Sequence, residues 1–178
     1  AQIVVQGKMF DRATAKEYQK LKPELLPYVL ESFERIRKEA DLLLVEGAGS
    51  TAEINLRTND IANMGFATAV NTPVILIGDI DRGGVIANLV GTKAVLPVDE
   101  TQLIKGFVIN KFRGDVSLFT SGVQEIEKRT QWQGLGVIPW FQNARKLPAE
   151  DAVSLKGEPA SIRQQLNCLL YTSPSPRD

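Results

Sequence analysis

Histidine is missing from this chain altogether. A histidine general base, a Ser–His or Cys–His nucleophile and histidine metal ligands are therefore excluded from it. Cysteine occurs once, as Cys168, so no internal disulfide can form, and a reducing cytoplasm suits such a chain. Neither sign of charge dominates. The 21 Lys and Arg balance the 21 Asp and Glu, which removes any general electrostatic case for nucleic acid or an anionic membrane as partner. No apolar run approaches the roughly 20 residues that span a bilayer. No secretory signal is visible, and the chain starts at Ala1 rather than at a methionine. The phosphate-loop pattern G-x-x-x-x-G-K-[ST] is absent too. Either no nucleotide is bound, or the phosphate cradle lies upstream. Chemistry within this chain must rest on carboxylates, cations, backbone dipoles or a bound ion.

What is present is enough for one domain with a real core: 178 residues, 43% of them hydrophobic. Two periodicities alternate along the chain. Residues 2–7 read as a short strand, possible at a sheet edge, and residues 24–39 carry Leu26, Val29, Leu30, Phe33 and Ile36 on one helix face. The continuous apolar run 41–47 has the mark of a strand buried on both faces. Asn59 or Asp60 is placed to cap a helix running to about Val70. Strands are expected at 73–79, 105–111 and 134–140. A helix with Val85, Ile86, Leu89 and Val90 inward follows the first of these. A second helix spans 117–129, with Phe119, Val123 and Ile126 inward and Glu125 paired to Arg129. Residues 141–161 read as a polar loop. This alternation predicts an α/β fold, a mostly parallel sheet with right-handed crossovers and helices on both faces. Ligands bind such sheets at the C-terminal strand ends, where Glu46, Asp79, Asn110 and Pro139 are expected.

Four segments could carry chemistry. Glu46 stands before an open Gly47-Ala48-Gly49 loop. A carboxylate there could hold Mg²⁺ with phosphate oxygens, and the glycines would admit a phosphate close to the backbone. It could equally be an acid that caps the next loop. The segment 54–60 brings Asn55, Arg57, Asn59 and Asp60 just beyond Ser50, as a substrate-contacting loop or as an ordinary polar loop with a helix cap. The segment 78–84 holds Asp79, Asp81, Arg82, Gly83 and Gly84 between a strand and a helix. The glycine amides could face an anion, Arg82 could clamp phosphate or carboxylate, and Asp79 could position a water or an incoming amine. Otherwise Asp81 is an N-cap and Arg82 is solvated. Asn110, followed by Lys111 and Arg113, offers the donor and acceptor that match an adenine edge, or is a turn residue. Trp132 and Trp140 are expected to pack.

The segments VEGAGSTAEINLRTNDIANMGFA, PVILIGDIDRGGVIANLVGT, KGFVINKFRGD and LGVIPW together closely resemble the cobyric acid synthase family, glutamine-dependent amidases of cobalamin biosynthesis. The resemblance covers about residues 2–155. EGAGS-x-AEINLR and DIDRGG are specific to that family, whereas EGAG and the Asn-Lys pair are shared with dethiobiotin synthetase and other cobyrinic acid amidases. The resemblance implies a P-loop NTPase fold of dethiobiotin synthetase type, with its first strand and phosphate loop preceding Ala1. It implies ATP and Mg²⁺ as cofactors, a corrinoid polycarboxylate as substrate, and ammonia from a glutaminase domain beyond about residue 160. Glu46 becomes a metal ligand. Asn110, Pro139, Gly47 and Gly49 become nucleotide contacts. Ser50, Asn55, Arg57, Gly83 and Gly84 would face substrate, and Asp79, Asp81 and Arg82 the transferring phosphate.

Two other readings stay open: a dethiobiotin synthetase-like enzyme activating a small acid, and a P-loop switch ATPase acting on a protein partner. Residues 1–160 are expected to be a partial amidoligase domain, and 161–167 the start of a linker. The tail 168–178, CLLYTSPSPRD, resembles a translated sequencing adapter and is expected to be non-native.

Overall fold

The computed structural model describes residues 2–143. The chain divides into two compact units, one of residues 2–73 with 96–103, the other of residues 74–95 with 104–143. The expected linker and tail at 161–178 lie outside the described residues, as does most of the polar loop expected at 141–161.

The first unit opens with a hairpin. Strands β1 (Gln2–Val5) and β2 (Lys8–Arg12) pair antiparallel across a Gln6-Gly7 turn whose two residues have positive φ. The edge strand expected at 2–7 therefore has a partner that the sequence did not announce. Helix α1 (Ala15–Arg37) starts nine residues before the expected helix. Its start is a reciprocal cap. Thr14 Oγ1 accepts the Glu17 N–H, and the Glu17 carboxylate accepts the Thr14 N–H at 2.8 Å.

Pro23 lies inside this helix and cannot donate to the Gln19 carbonyl. That carbonyl instead accepts the Asn59 side-chain amide at 3.0 Å, so the lost bond is replaced from another segment. Leu25 on α1 packs with Ile3 and Ala13 into a small core, to which Ile61 adds.

The buried strand expected at 41–47 does not form. These residues adopt no regular structure, and Leu42 and Leu44 are 76% and 84% exposed. A strand needs a neighbour for its backbone hydrogen bonds. Here β1 and β2 pair with each other, and the remaining strands form a separate sheet. The expected helix at 60–70 is shorter. Residues 54–59 form a 3-10 turn and helix α2 is Met64–Val70. Asp60 nevertheless does capping work, accepting the N–H groups of Ala62, Asn63 and Gly65 at 2.8–2.9 Å. A short helix the sequence reading missed, α4 (Val98–Leu103), also belongs to this unit.

The second unit is a three-stranded parallel sheet in the order β3 (Val74–Asp79), β4 (Ile104–Phe112), β5 (Gln133–Pro139). These match the strands expected at 73–79, 105–111 and 134–140. Helices α3 (Val85–Val95) and α5 (Thr120–Thr130) supply the crossovers. Both pack on one face of the sheet. Gly78 lets α3 approach: a Cβ there would stand 2.6 Å from Val85 Cγ2. Leu89, Phe107, Ile109 and Ile126 are buried in this layer. Toward the other face, Ile75 and Ile77 of β3 are 54% and 68% exposed. The expected Glu125–Arg129 pair is present on α5.

Candidate functional site

In a parallel sheet every strand ends at the same edge, so the topology of the second unit builds a rim from segments distant in sequence. Asp79 and Asn110 are register partners on β3 and β4, and Phe112 partners Pro139 on β5. The expected gathering of Asp79, Asn110 and Pro139 is what this unit contains.

Asp79 is the hub. Its Oδ1 accepts the Asp81 N–H at 3.1 Å, which closes the short turn Ile80–Arg82. Its Oδ2 takes Lys111 Nζ at 2.7 Å and lies 3.5 Å from Arg82 Nε. Lys111 is only 5% exposed, and its backbone is left-handed, with φ of 64°. That conformation is uncommon for a residue with a side chain. It goes with a local bond in which the Lys111 N–H donates to the Asn110 side-chain oxygen at 2.8 Å.

Asp81 does not act as a solvated cap. Arg113 grips it with two prongs, Nε to Oδ1 at 2.7 Å and Nη2 to Oδ2 at 3.4 Å. The same guanidinium lies 3.6 Å from the centre of the Trp140 ring, a stacked cation–π contact. The hydrogen bond from Arg113 holds the Asp81 carboxyl below its ordinary value of 3.8, and Asp81 in turn raises Arg113. Trp140 thus packs against a cation at the rim, while Trp132 is buried.

Ile80, Asp81, Lys111, Phe112 and Arg113 line a small open cleft here. Gly83 and Gly84 follow, with φ of 76° and 68°. A side chain would find space at either, but not a relaxed backbone. The ion-paired Asp79 and Asp81 suit positioning of cations and of the turn. The Arg113 hydrogen bond that lowers the Asp81 carboxyl also makes that carboxylate a weaker proton acceptor.

The remaining candidates belong to the first unit. Glu46 is exposed and in no strand, so it does not stand at the tip of a buried strand as expected. Among the described residues no group of three or more Asp, Glu, Cys or His could hold a metal ion. A cation at Glu46 would therefore depend on phosphate and water oxygens, a donor set that Mg²⁺ accepts. Gly47 lies against Asn63, whose side-chain amide donates to the Ala48 carbonyl at 2.6 Å. Gly49 has a φ of 77°. Ser50 Oγ accepts the Ala52 N–H at 3.2 Å. Asn55 and Arg57 lie on the 3-10 turn, and Arg57 pairs with Glu100 of α4. Glu100 escaped the sequence reading. It is one of two adjacent acids in a short helix, 43 positions from its partner, with no spacing signal.

A family model described as an AAA domain matches residues 12–146, and the chain belongs to that family. The parallel sheet with flanking helices is consistent with its P-loop-type fold. Within it, the chain is similar to cobyric acid synthases. That of Xanthobacter autotrophicus is 61% identical over 90% of this chain and 33% of its own length. Those of a Bradyrhizobium and a Jannaschia species are each 56% identical, over 98% and 95% of this chain and 35% of their own length. The resemblance read from the motifs is borne out. The chain spans about a third of the length of these relatives. No solved structure matches.

Proposed function

We propose that residues 1–160 form part of the ATP-dependent amidoligase domain of a cobyric acid synthase. The reaction is amidation of carboxylates of (adenosyl)cobyrinic acid a,c-diamide, with glutamine as nitrogen donor, in the cytoplasm. The observation that carries this is identity of 56–61% with cobyric acid synthases over nine-tenths of the chain or more.

A carboxylate does not react with ammonia, because oxide is a hopeless leaving group. Transfer of the ATP γ-phosphoryl group to it gives an acyl phosphate and ADP. Ammonia then attacks the acyl carbon and phosphate leaves. Phosphoryl transfer depends mainly on positioning and charge neutralisation. The rim supplies cations held by Asp79 and Asp81, of which Arg82 is proposed to face the transferring phosphate. Gly83 and Gly84 amides would face substrate. Asn110 and the backbone at Pro139 would meet the adenine, with Gly47 and Gly49 admitting the phosphates. Ser50, Asn55 and Arg57 would contact the corrinoid. Glu46 would hold Mg²⁺, which supplies charge neutralisation on the phosphates. Ammonia would come from a glutaminase domain outside this chain.

The test is a chimera in which this chain replaces the matching third of the Xanthobacter autotrophicus enzyme. It is expected to convert the a,c-diamide to cobyric acid with ATP and glutamine. A folded chimera that hydrolyses glutamine but leaves the corrinoid unamidated would refute the proposal.

A further inference from the structure

We infer that Glu100 is a positioning residue for Arg57, and that the two form a receptor for an anionic oxygen group, a substrate carboxylate or a phosphate. The inference rests on the function proposed above. Both residues belong to the first unit, Arg57 on the 3-10 turn and Glu100 on α4.

The pair is asymmetric. The Glu100 side chain is 4% exposed, whereas that of Arg57 is 30% exposed. Arg57 Nε and Nη2 both reach a single oxygen, Glu100 Oε1, at 2.5 Å. Glu100 Oε2 is buried and has no hydrogen-bond partner among the described residues. An ion pair serving cohesion alone gains most when both oxygens meet the guanidinium fork. Leaving a carboxylate oxygen buried and unpaired forfeits much of that gain. What this geometry does achieve is orientation. Two nitrogens of the guanidinium are fixed inward, and Nη1 has no partner among the described residues.

The backbone under Arg57 is held as well. Asn59 donates to the Gln19 carbonyl at 3.0 Å, and Asp60 gathers three N–H groups of the next turn. An arginine on a free loop would lose side-chain entropy on binding, and here that loss is taken in folding. The outward edge of a guanidinium offers donors only, so its complement is an acceptor such as carboxylate or phosphate.

Equilibrium dialysis on the 178-residue chain tests this, with the coloured a,c-diamide corrinoid in one arm and inorganic phosphate in the other. Arg57→Ala is expected to weaken binding of one of the two anions by about tenfold or more. Glu100→Gln is expected to weaken the same anion to a similar extent, and the double variant no further. Loss in the corrinoid arm supports a carboxylate receptor, and loss in the phosphate arm a phosphate receptor. If Glu100→Gln does not fold, Arg57→Lys carries the comparison, because it keeps the charge and loses the fork. It is expected to bind as weakly as Arg57→Ala.

Variants that melt earlier yet bind both anions within about twofold of wild type would show a purely structural pair and overturn the inference. The proposed function would survive that result, since the chimera tests it separately. A wild-type chain that binds neither anion also overturns the inference.

Discussion

At the rim of the parallel sheet, each cation is held by an acid, and each acid by a cation 32 positions away in sequence. Asp81 and Arg113 give this arrangement a measurable signature. The Asp81 carboxyl is depressed in the folded protein, chiefly by its hydrogen bond to Arg113. A depressed folded-state value means the pair contributes stability above the unfolded carboxyl's range. That contribution disappears as pH falls through the lower folded value. Wild type is therefore expected to exceed Asp81→Asn in stability by a constant margin from neutral pH down to about 5. The two should converge below that. Denaturant melts of both proteins across pH 2.5 to about 7 measure it, with pH-independent curves as the contrary result. Because both side chains are substantially exposed, the margin is expected to be small and to shrink in salt. Asp79 and Asn110 were legible in sequence as polar residues closing apolar runs. Their bonds were not. Nothing in the local pattern tells which lysine will reach Asp79, or that Lys111 will take a left-handed backbone.

At the scale of elements, the start of α1 was written in the sequence and overlooked. Thr14 followed three residues later by Glu17 is the reciprocal capping signature, and the structure forms it. Pro23, just before the expected start at residue 24, obscured it, since proline inside a helix ordinarily argues for a boundary. The Gln19 carbonyl freed by Pro23 finds Asn59, a tertiary partner that local rules cannot supply. Thr14→Ala removes both the acceptor for the Glu17 N–H and the hydroxyl that donates to the Glu17 carboxylate. It is expected to lower unfolding free energy by about 1 kcal/mol, read from urea melts. An unchanged midpoint would show that α1 is held by its packing instead. The run at 41–47 is the opposite case. Its apolar composition predicts burial, but burial requires a partner, and composition does not say whether one is at hand. Helix α4 shows a third failure mode: six residues carry too little periodicity to be recognised.

For the whole chain, the missing phosphate-loop pattern dominates what it can do alone. A triphosphate cradle needs converging backbone amides and a lysine on one loop. Gly83 and Gly84 offer at most a pair of amides. The 178-residue chain by itself is therefore expected to bind ATP more weakly than micromolar, and titration calorimetry decides it. A micromolar Kd from this chain would mean that the rim suffices without that loop. The chain has no helix among the described residues long and apolar enough to cross a membrane. Apart from α4, the alternation of strand and helix from Val74 to Pro139 was legible in the sequence. There each crossover is local, and buried parallel strands are plain apolar runs. Their gathering of Asp79, Asn110 and Pro139 at one edge followed from that topology. The tertiary structure alone decided that Asp79 pairs with Lys111, that Asp81 pairs with Arg113 over Trp140, and that Glu100 lies beneath Arg57. The physical reason is range. Periodicity and caps act within a few residues, whereas an ion pair between positions tens of residues apart exists only once the chain has folded and the surrounding burial has chosen which charges meet.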